Sequence, residues 1–197
     1  MNDRKSEILE LSAKLLRRKS FSAFSYTDLS VALGIRKASI HHHFPSKESL
    51  GLALVDFYRA NAEALLAELL ARAPSPGAAL HAFLSDAEAI TLDGTHDVCP
   101  HGAFDENADL LPDSIVESLA RLRGWTNARM AELLAAAREA GEVRFDGDPE
   151  EQATFMMAAI EGARATARGG DRGAFRAVLR QLQRSMGLTA GAPAGTR

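Results

Sequence analysis

The most constraining feature of this sequence is a pair of short helical segments separated by a very tight turn. Ser25 and Asp28 have the spacing of a capping box, in which a serine caps a helix and an acid three residues later caps the serine. Gly34 predicts the end of that helix, because glycine readily adopts the left-handed conformation. A second short helix is predicted from Lys37 to Phe44. Two helices joined in this way form a helix-turn-helix.

The rest of the chain is also predicted to be helical. Alanine and leucine are abundant and aromatic residues make up only 6% of the 197 residues, a balance that favours helices over sheets. Apolar residues at helical spacing predict further helices over roughly 3–19, 47–72, 77–92, 101–110, 113–140, 149–168 and 172–186. We therefore predict an all-α protein of about nine helices. Residues 1–50 would form an N-terminal three-helix domain, residues 51–187 a larger helical domain, and residues 188–197 a disordered tail.

Cysteine usage and hydropathy indicate the compartment. Cys99 is the only cysteine, so the chain cannot form an internal disulfide, and it suits a reducing environment. The sequence shows no basic start followed by the apolar run of a signal peptide. It also lacks an apolar stretch of about 18 residues, the length that would span a membrane. We therefore expect a cytoplasmic protein that does not contact a membrane.

Charge is distributed unevenly along the chain. The first 50 residues contain nine lysines and arginines against five aspartates and glutamates, whereas the whole chain has a net charge of −3. A basic N-terminal domain on an acidic remainder suggests that this domain meets a polyanion such as DNA. The alternative is that the excess of basic residues in the first 50 positions is an accident of surface charge and has no role in binding.

Three consecutive histidines, His41 to His43, lie in the second helix of the predicted helix-turn-helix. Adjacent helical residues point about 100° apart, so these three rings cannot converge on one metal ion. Ile40 and Phe44, four residues apart, are expected to face the core. The outward residues can then enter a DNA major groove and contact phosphates and base edges. These residues are Arg36, Lys37, Ser39, His41 and His42.

The stretch "YTDLSVALGIRKASIHHHFPSKESL" (residues 26–50) resembles the N-terminal signature of TetR/AcrR-type transcriptional regulators. The positions in register are Asp28, Leu29, Gly34, Ile35, Lys37, Ala38, Ser39, Ile40, His43, Phe44, Ser46, Lys47, Glu48 and Leu50. The resemblance implies DNA binding through the second helix, Ala38 included. It also implies phosphate contacts from Lys47. Ser25 and Thr27, at the start of the first helix of the helix-turn-helix, would contact phosphates as well.

His41 departs from the pattern that it resembles, which has a tyrosine that reaches a DNA phosphate. An imidazole is shorter than a phenol, but it can still donate to phosphate, and it does so better when protonated. His43 matches the pattern. Two roles stay open for His43, a DNA contact or a packed and hydrogen-bonded residue at the helix end.

The resemblance further implies that the last two predicted helices pair with those of a second copy in a four-helix bundle. Small residues in these helices let backbones come close, and larger apolar residues provide contact area. The expected contacts are Phe155, Ala159, Gly162, Ala163, Phe175, Leu179 and Leu182. The alternative is that these stripes only pack inside one chain. A homodimer would place two recognition helices on a palindromic DNA operator.

By the same resemblance, the middle of the chain would hold a pocket for a small-molecule effector. We expect its wall to include Phe83, Cys99, His101, Phe104, Trp125 and Met156. Cys99 lies close to His96 and His101, which would favour a reactive thiolate and a response to electrophiles or oxidants. Two alternatives stay open for Cys99: an inert residue of the core, or a metal ligand together with the two histidines.

These features predict a ligand-responsive, DNA-binding transcriptional regulator, a repressor that a small molecule or reactive electrophile releases from its operator. The rival is a helical small-molecule-binding protein or an enzyme without a DNA role. An enzyme should bring acid–base or nucleophilic groups together. The sequence shows no phosphate-binding loop, no Gly-x-Ser-x-Gly and no paired carboxylate–histidine motif. We therefore predict that the chain is not an enzyme, and we predict neither a cofactor nor a metal.

Overall fold

Eight α-helices make up the computed structural model, which describes residues 4–92, 104 and 111–188. In chain order they are α1 (Arg4–Lys19), α2 (Tyr26–Leu33), α3 (Lys37–His43), α4 (Lys47–Arg72), α5 (Pro76–Leu92), α6 (Asp113–Glu139), α7 (Pro149–Arg168) and α8 (Arg172–Ser185). These described residues contain no strand, so the predicted all-α class is confirmed. The helix expected over 101–110 lies outside them apart from Phe104, and so does the tail apart from Leu188.

The chain divides into two compact units. The first unit is Met1–Glu63 with Val98–Arg123, and the second is Ala64–Asp97 with Gly124–Arg197. Helices α4 and α6 therefore each contribute residues to both units. The division into functional domains at residue 50 stays a prediction, because compactness alone does not show which residues bind DNA or an effector.

The core of the first unit includes aromatic side chains that follow α1. Phe21 lies edge-to-face with Phe24, at 5.9 Å between ring centroids, and it contacts Phe104 at 5.2 Å. Gly51 in α4 lies against the side chain of Ile115, and a Cβ there would overlap Ile115 Cδ1 unless that side chain moved. This close approach seats the start of α6 against α4 within the unit that contains α1, α2 and α3.

A separate apolar core holds the second unit together. Helix α8 packs against α7 and α5. Its apolar stripe is buried in the same cluster of side chains as Leu80 of α5, Leu134 of α6 and Ile160 of α7. None of the helices within the described ranges is long and apolar enough to cross a membrane.

Polar groups fix the ends of helices in the second unit. Asp148 caps α7 and accepts a hydrogen bond from the Glu150 N–H at 2.6 Å, with Pro149 as the first helical residue. Glu142, in the loop after α6, accepts from the Gly77 N–H at 2.6 Å. This bond satisfies a backbone donor at the start of α5 that the helix itself cannot pair.

Candidate nucleic-acid interface

The predicted helix-turn-helix is present, and hydrogen bonds fix both ends of its first helix. Ser25 caps α2, and Asp28 accepts from its backbone N–H and from its hydroxyl, each at 2.7 Å. Gly34 ends α2 in the left-handed conformation, with a φ of 64°. Ser30 closes the turn, because its hydroxyl donates to the Ile35 carbonyl at 2.6 Å. The capping box and the glycine turn are therefore confirmed.

Helix α3 is anchored by the two apolar residues that were expected to face inward. Ile40 is fully buried, and Phe44 is only 2% exposed. The Phe44 N–H donates to the Ile40 carbonyl at 2.8 Å. Leu29 of α2 is also fully buried, and α2 packs against α3. Each large apolar side chain buried in this way contributes about 1.5–3 kcal/mol, so the orientation of α3 is strongly determined.

Tyr26, which the sequence alone does not single out, ties α2 to the end of α3. Its phenol donates toward two carbonyl oxygens, that of Phe44 at 2.8 Å and that of Ser46 at 2.6 Å. Burial raises the pKa of Tyr26 to about 12, an effect that a hydrogen bond with Ser49 partly offsets. The phenol therefore stays protonated at physiological pH. The sequence places Tyr26 at the start of a capped helix but gives no signal for these distant partners.

The outward side of α3 forms a surface that can meet DNA. Its members are exposed to solvent except for one half-buried serine. This recognition surface consists of Arg36, Lys37, Ala38, Ser39, His41 and His42. Two cations, a hydroxyl and two imidazoles on or beside one short helix supply donors for phosphates and for base edges. Ser25 and Thr27, at the start of α2, are exposed as well, although the Ser25 hydroxyl is used in the cap.

The imidazole rings make defined contacts at the end of α3. The His41 ring lies edge-to-face with the Tyr26 ring at 4.7 Å, and its Nδ1 lies 3.3 Å from the Pro45 carbonyl oxygen. The rings of His42 and His43 contact each other at 5.2 Å. His43 is half-buried, which favours the packing role among the two roles that the sequence left open.

The ammonium group of Lys47 is engaged within the first unit. It donates to the Phe24 carbonyl and lies 5.0 Å and 4.9 Å from the ring centroids of Phe21 and Phe24. Burial lowers the pKa of Lys47, and the negative charge of Asp28 partly opposes that change. Lys47 therefore ties the start of α4 to the residue before the α2 cap. Its expected phosphate contact stays a prediction.

The residues predicted to join two copies fall into two groups. Four of them are buried in the core of one chain, with exposed fractions of 5% or less: Ala163, Phe175, Leu179 and Leu182. A side chain buried in its own chain offers little area to a partner, so burial disfavours a direct contact from these four, and their place in an interface stays a prediction. Phe155 is 58% exposed, Gly162 is exposed and Ala159 is half-buried. The expected contact therefore moves to this exposed side of α7.

The residues predicted to line an effector pocket have different environments. Phe104 belongs to the first unit, where it is buried against an aromatic ring of that unit. Met156 is fully buried in the core of the second unit, and Phe83 packs against the same core. Trp125 is half-buried. The other two lie outside the described residues: Cys99 and His101.

The second unit has a surface cavity of about 520 Å³ where the end of α4, the start of α5 and a stretch of α6 meet. Its apolar wall includes Leu66, Leu70 and Leu133, and its polar lining includes Arg129 and Glu132. A largely apolar cavity with a few polar groups is the usual form of a small-molecule site. Of the four proposed wall residues that the structure describes, none lines this cavity: Phe83, Phe104, Trp125 and Met156.

Comparison with known protein families matches both parts of the chain. Residues 8–54 match the model of bacterial regulatory proteins of the tetR family. Residues 76–182 match the model of the tetracyclin repressor-like C-terminal domain. The second match alone covers more than half of the chain.

Individual relatives agree with these matches. The transcriptional regulator AcuR of Cereibacter sphaeroides is 28% identical over 155 residues, which are 78% of this chain and 71% of that protein. The repressor DhaR of a Mycobacterium species is 23% identical over 159 residues, 81% of this chain and 79% of that protein. A TetR-family regulator structure from Agrobacterium tumefaciens matches with a TM-score of 0.86 at 32% identity, covering 92% of this chain and 96% of that one. All three are described as transcriptional regulators or repressors. The chain therefore belongs to the tetR family of bacterial regulatory proteins.

Proposed function

We propose that this protein is a repressor that binds a palindromic DNA operator as a homodimer and leaves it when a small molecule or a reactive electrophile binds. The observation that carries the proposal is the recognition surface, which α3 holds outward while Ile40 and Phe44 are buried beneath it. Residues 1–50 would bind DNA, and residues 51–187 would bind the effector and the second copy. The protein would act in the cytoplasm.

Within the recognition surface we assign different tasks to different residues. Arg36 and Lys37 would neutralise phosphates, which fixes the helix on the duplex without selecting a sequence. Ser39 and His42 would donate to base edges in the major groove, and the Ala38 methyl group would contact a thymine methyl. Lys37 can also reach a base edge, because lysine pairs with guanine acceptors.

A single α3 is too short to provide useful specificity alone. It has seven residues and covers only a few base pairs, so helix-turn-helix modules act as two-fold dimers on two half-sites. The exposed side of α7, around Phe155, is the surface that we propose for the second copy. A large aromatic side chain that is exposed to solvent in the single chain is typical of an interface residue.

Release from DNA would follow from binding of an effector to the second unit. A ligand shifts the population of conformers only when it binds one of them more tightly than the other. We propose that the effector favours a separation of the two α3 helices that does not match the operator. Phe83 and Trp125, both half-buried, stay candidates for its contacts, as does the cavity beside Leu66 and Leu133.

The experiment is a fluorescence anisotropy titration of the full chain with a palindromic duplex from the promoter of its own gene. We expect the dissociation constant to rise at least about a hundredfold between 50 and 200 mM salt, because phosphate contacts release counterions. Lys37→Ala should weaken binding at low salt, whereas Lys14→Ala, an exposed change in α1, serves as the charge-matched control. A small-molecule-binding protein without a DNA role would show no salt-dependent binding, and that result would refute the proposal.

A further inference from the structure

The orientation of the His41 ring determines what its second nitrogen can do. Nδ1 lies 3.3 Å from the Pro45 carbonyl oxygen, and a carbonyl oxygen can only accept a hydrogen bond. A hydrogen bond between these two atoms therefore requires the proton on Nδ1, which donates it. In a neutral imidazole with a proton on Nδ1, the other nitrogen, Nε2, has a lone pair and no proton. Neutral His41 in this position thus cannot donate from Nε2.

A DNA phosphate needs a donor, so this orientation has a consequence for binding. Phosphate oxygens carry negative charge and only accept hydrogen bonds, so they repel the lone pair of a neutral Nε2. When Nε2 takes up a proton from solvent, the ring becomes an imidazolium. It can then donate from Nδ1 to Pro45 and from Nε2 to the phosphate at the same time. His41 is exposed on α3, so its ring is accessible to a ligand.

We propose that the recognition surface binds DNA with His41 as the imidazolium, so that each protomer takes up a proton from solvent when it binds the operator. This inference rests on the proposed DNA-binding function. Operator affinity would then depend on pH through His41, as well as on the effector.

The groups that contact the His41 ring do not themselves gain or lose a proton in the pH range where imidazoles titrate. Tyr26 of α2 contacts the ring, but its phenol donates to the carbonyls of Phe44 and Ser46, and burial raises its pKa to about 12. It therefore stays neutral where imidazoles titrate, which is between about pH 5 and 8. Among the residues that the structure describes, the ring also contacts the Pro45 carbonyl, which does not titrate.

The charged groups on the adjoining helices are engaged with other partners. Asp28 of α2 holds the helix cap, and Glu48 of α4 accepts from the Ser114 hydroxyl. The Lys47 ammonium is bound to a backbone carbonyl. On α3 itself, Lys37 and the rings of His42 and His43 share the helix with His41, and a second imidazolium there would oppose protonation. A phosphate against Nε2 acts in the opposite sense and favours the charged ring.

The sign of the pH dependence follows from this balance. Bound phosphate stabilises the protonated ring, so the complex holds more protons than the free protein in the range where imidazoles titrate. Affinity is therefore highest at low pH and falls as the pH rises. A dimer contributes two such rings. We expect its dissociation constant to rise at least about tenfold between pH 6 and pH 8 at constant ionic strength.

The test measures operator binding by anisotropy at pH 6 and pH 8 for the full chain and three variants. His41→Tyr supplies a phenol, which donates without a charge and titrates only near about pH 10, so its pH ratio should fall to about threefold or less. His41→Gln supplies a neutral amide donor and should also show a pH ratio of about threefold or less. With two variants, the test still gives a result if one of them fails to fold. His81→Gln, in α5 of the second unit, is the control and should keep the parent's ratio.

Each outcome decides between the two proposals. A parent protein that binds equally well at both pH values would overturn the inference about His41 while leaving DNA binding intact. So would a parent-like pH ratio in both His41 variants, because the proton would then belong to another group. Failure to bind the duplex at either pH would refute the proposed DNA-binding function itself, and this inference with it.

Discussion

Replacing Ile40 with alanine should destabilise the helix-turn-helix by about 2–4 kcal/mol and abolish operator binding. Ile40 is fully buried in the middle of α3, so the change removes three methyl or methylene groups and leaves a cavity. A seven-residue helix is not stable by itself. Loss of its anchor should therefore release α3 from α2, and the recognition surface with it.

The measurement is hydrogen exchange of the α3 amides, together with urea unfolding followed by circular dichroism. The Phe44 N–H, which donates to the Ile40 carbonyl, should exchange much faster in Ile40→Ala than in the parent. Val31→Ala is the matched control, because Val31 is β-branched like isoleucine but 78% exposed, and its effect should stay within about 0.5 kcal/mol. Equal losses in the two variants would show that α3 is not held by this contact.

Replacing Phe155 with aspartate should separate the two copies of the protein. The Phe155 side chain is 58% exposed on α7, and a large aromatic residue at the centre of an interface contributes about 2 kcal/mol or more. An aspartate there would in addition place a charge in an apolar contact. We expect the dimer dissociation constant to rise at least about thirtyfold, which corresponds to about 2 kcal/mol.

Sedimentation equilibrium of the parent and the variant checks this prediction. Leu65→Asp is the control, because Leu65 is 45% exposed on α4 and we place it outside the contact. It should sediment like the parent. A Phe155→Asp variant that stays dimeric would exclude this side of α7 as the interface.

Phe175→Ala is expected to act differently, by lowering the stability of the chain, because Phe175 is fully buried in its own core.

The helix-turn-helix could be predicted from the sequence because its signals are local. A capping box needs only Ser25 and Asp28, and a left-handed helix end needs only Gly34. The inward positions of Ile40 and Phe44 follow from helical spacing. Each of these features depends on residues a few positions apart, so no knowledge of the distant chain is required.

Features that depend on distant residues were not predictable. An apolar stripe such as Phe175 and Leu179 shows which side of a helix is buried, but not whether its own chain or a second copy buries it. The contact of Lys47 with Phe24 joins α4 to the loop before α2, and no pattern in the sequence signals it. The same holds for the bonds of Tyr26 across to the end of α3.

The central claim is that the outward side of α3 reads DNA sequence, and selection of binding sites from randomised duplexes tests it most directly. The parent should enrich a palindrome. Ser39→Ala and His42→Ala should enrich palindromes that differ from it at the same position in both half-sites, because these side chains are assigned to base edges. Thr27→Ala, assigned to a phosphate, should enrich the parent's palindrome with lower affinity. If the Ser39 and His42 variants enrich the parent's sequence unchanged, α3 does not present its exposed side to the bases and the account is wrong.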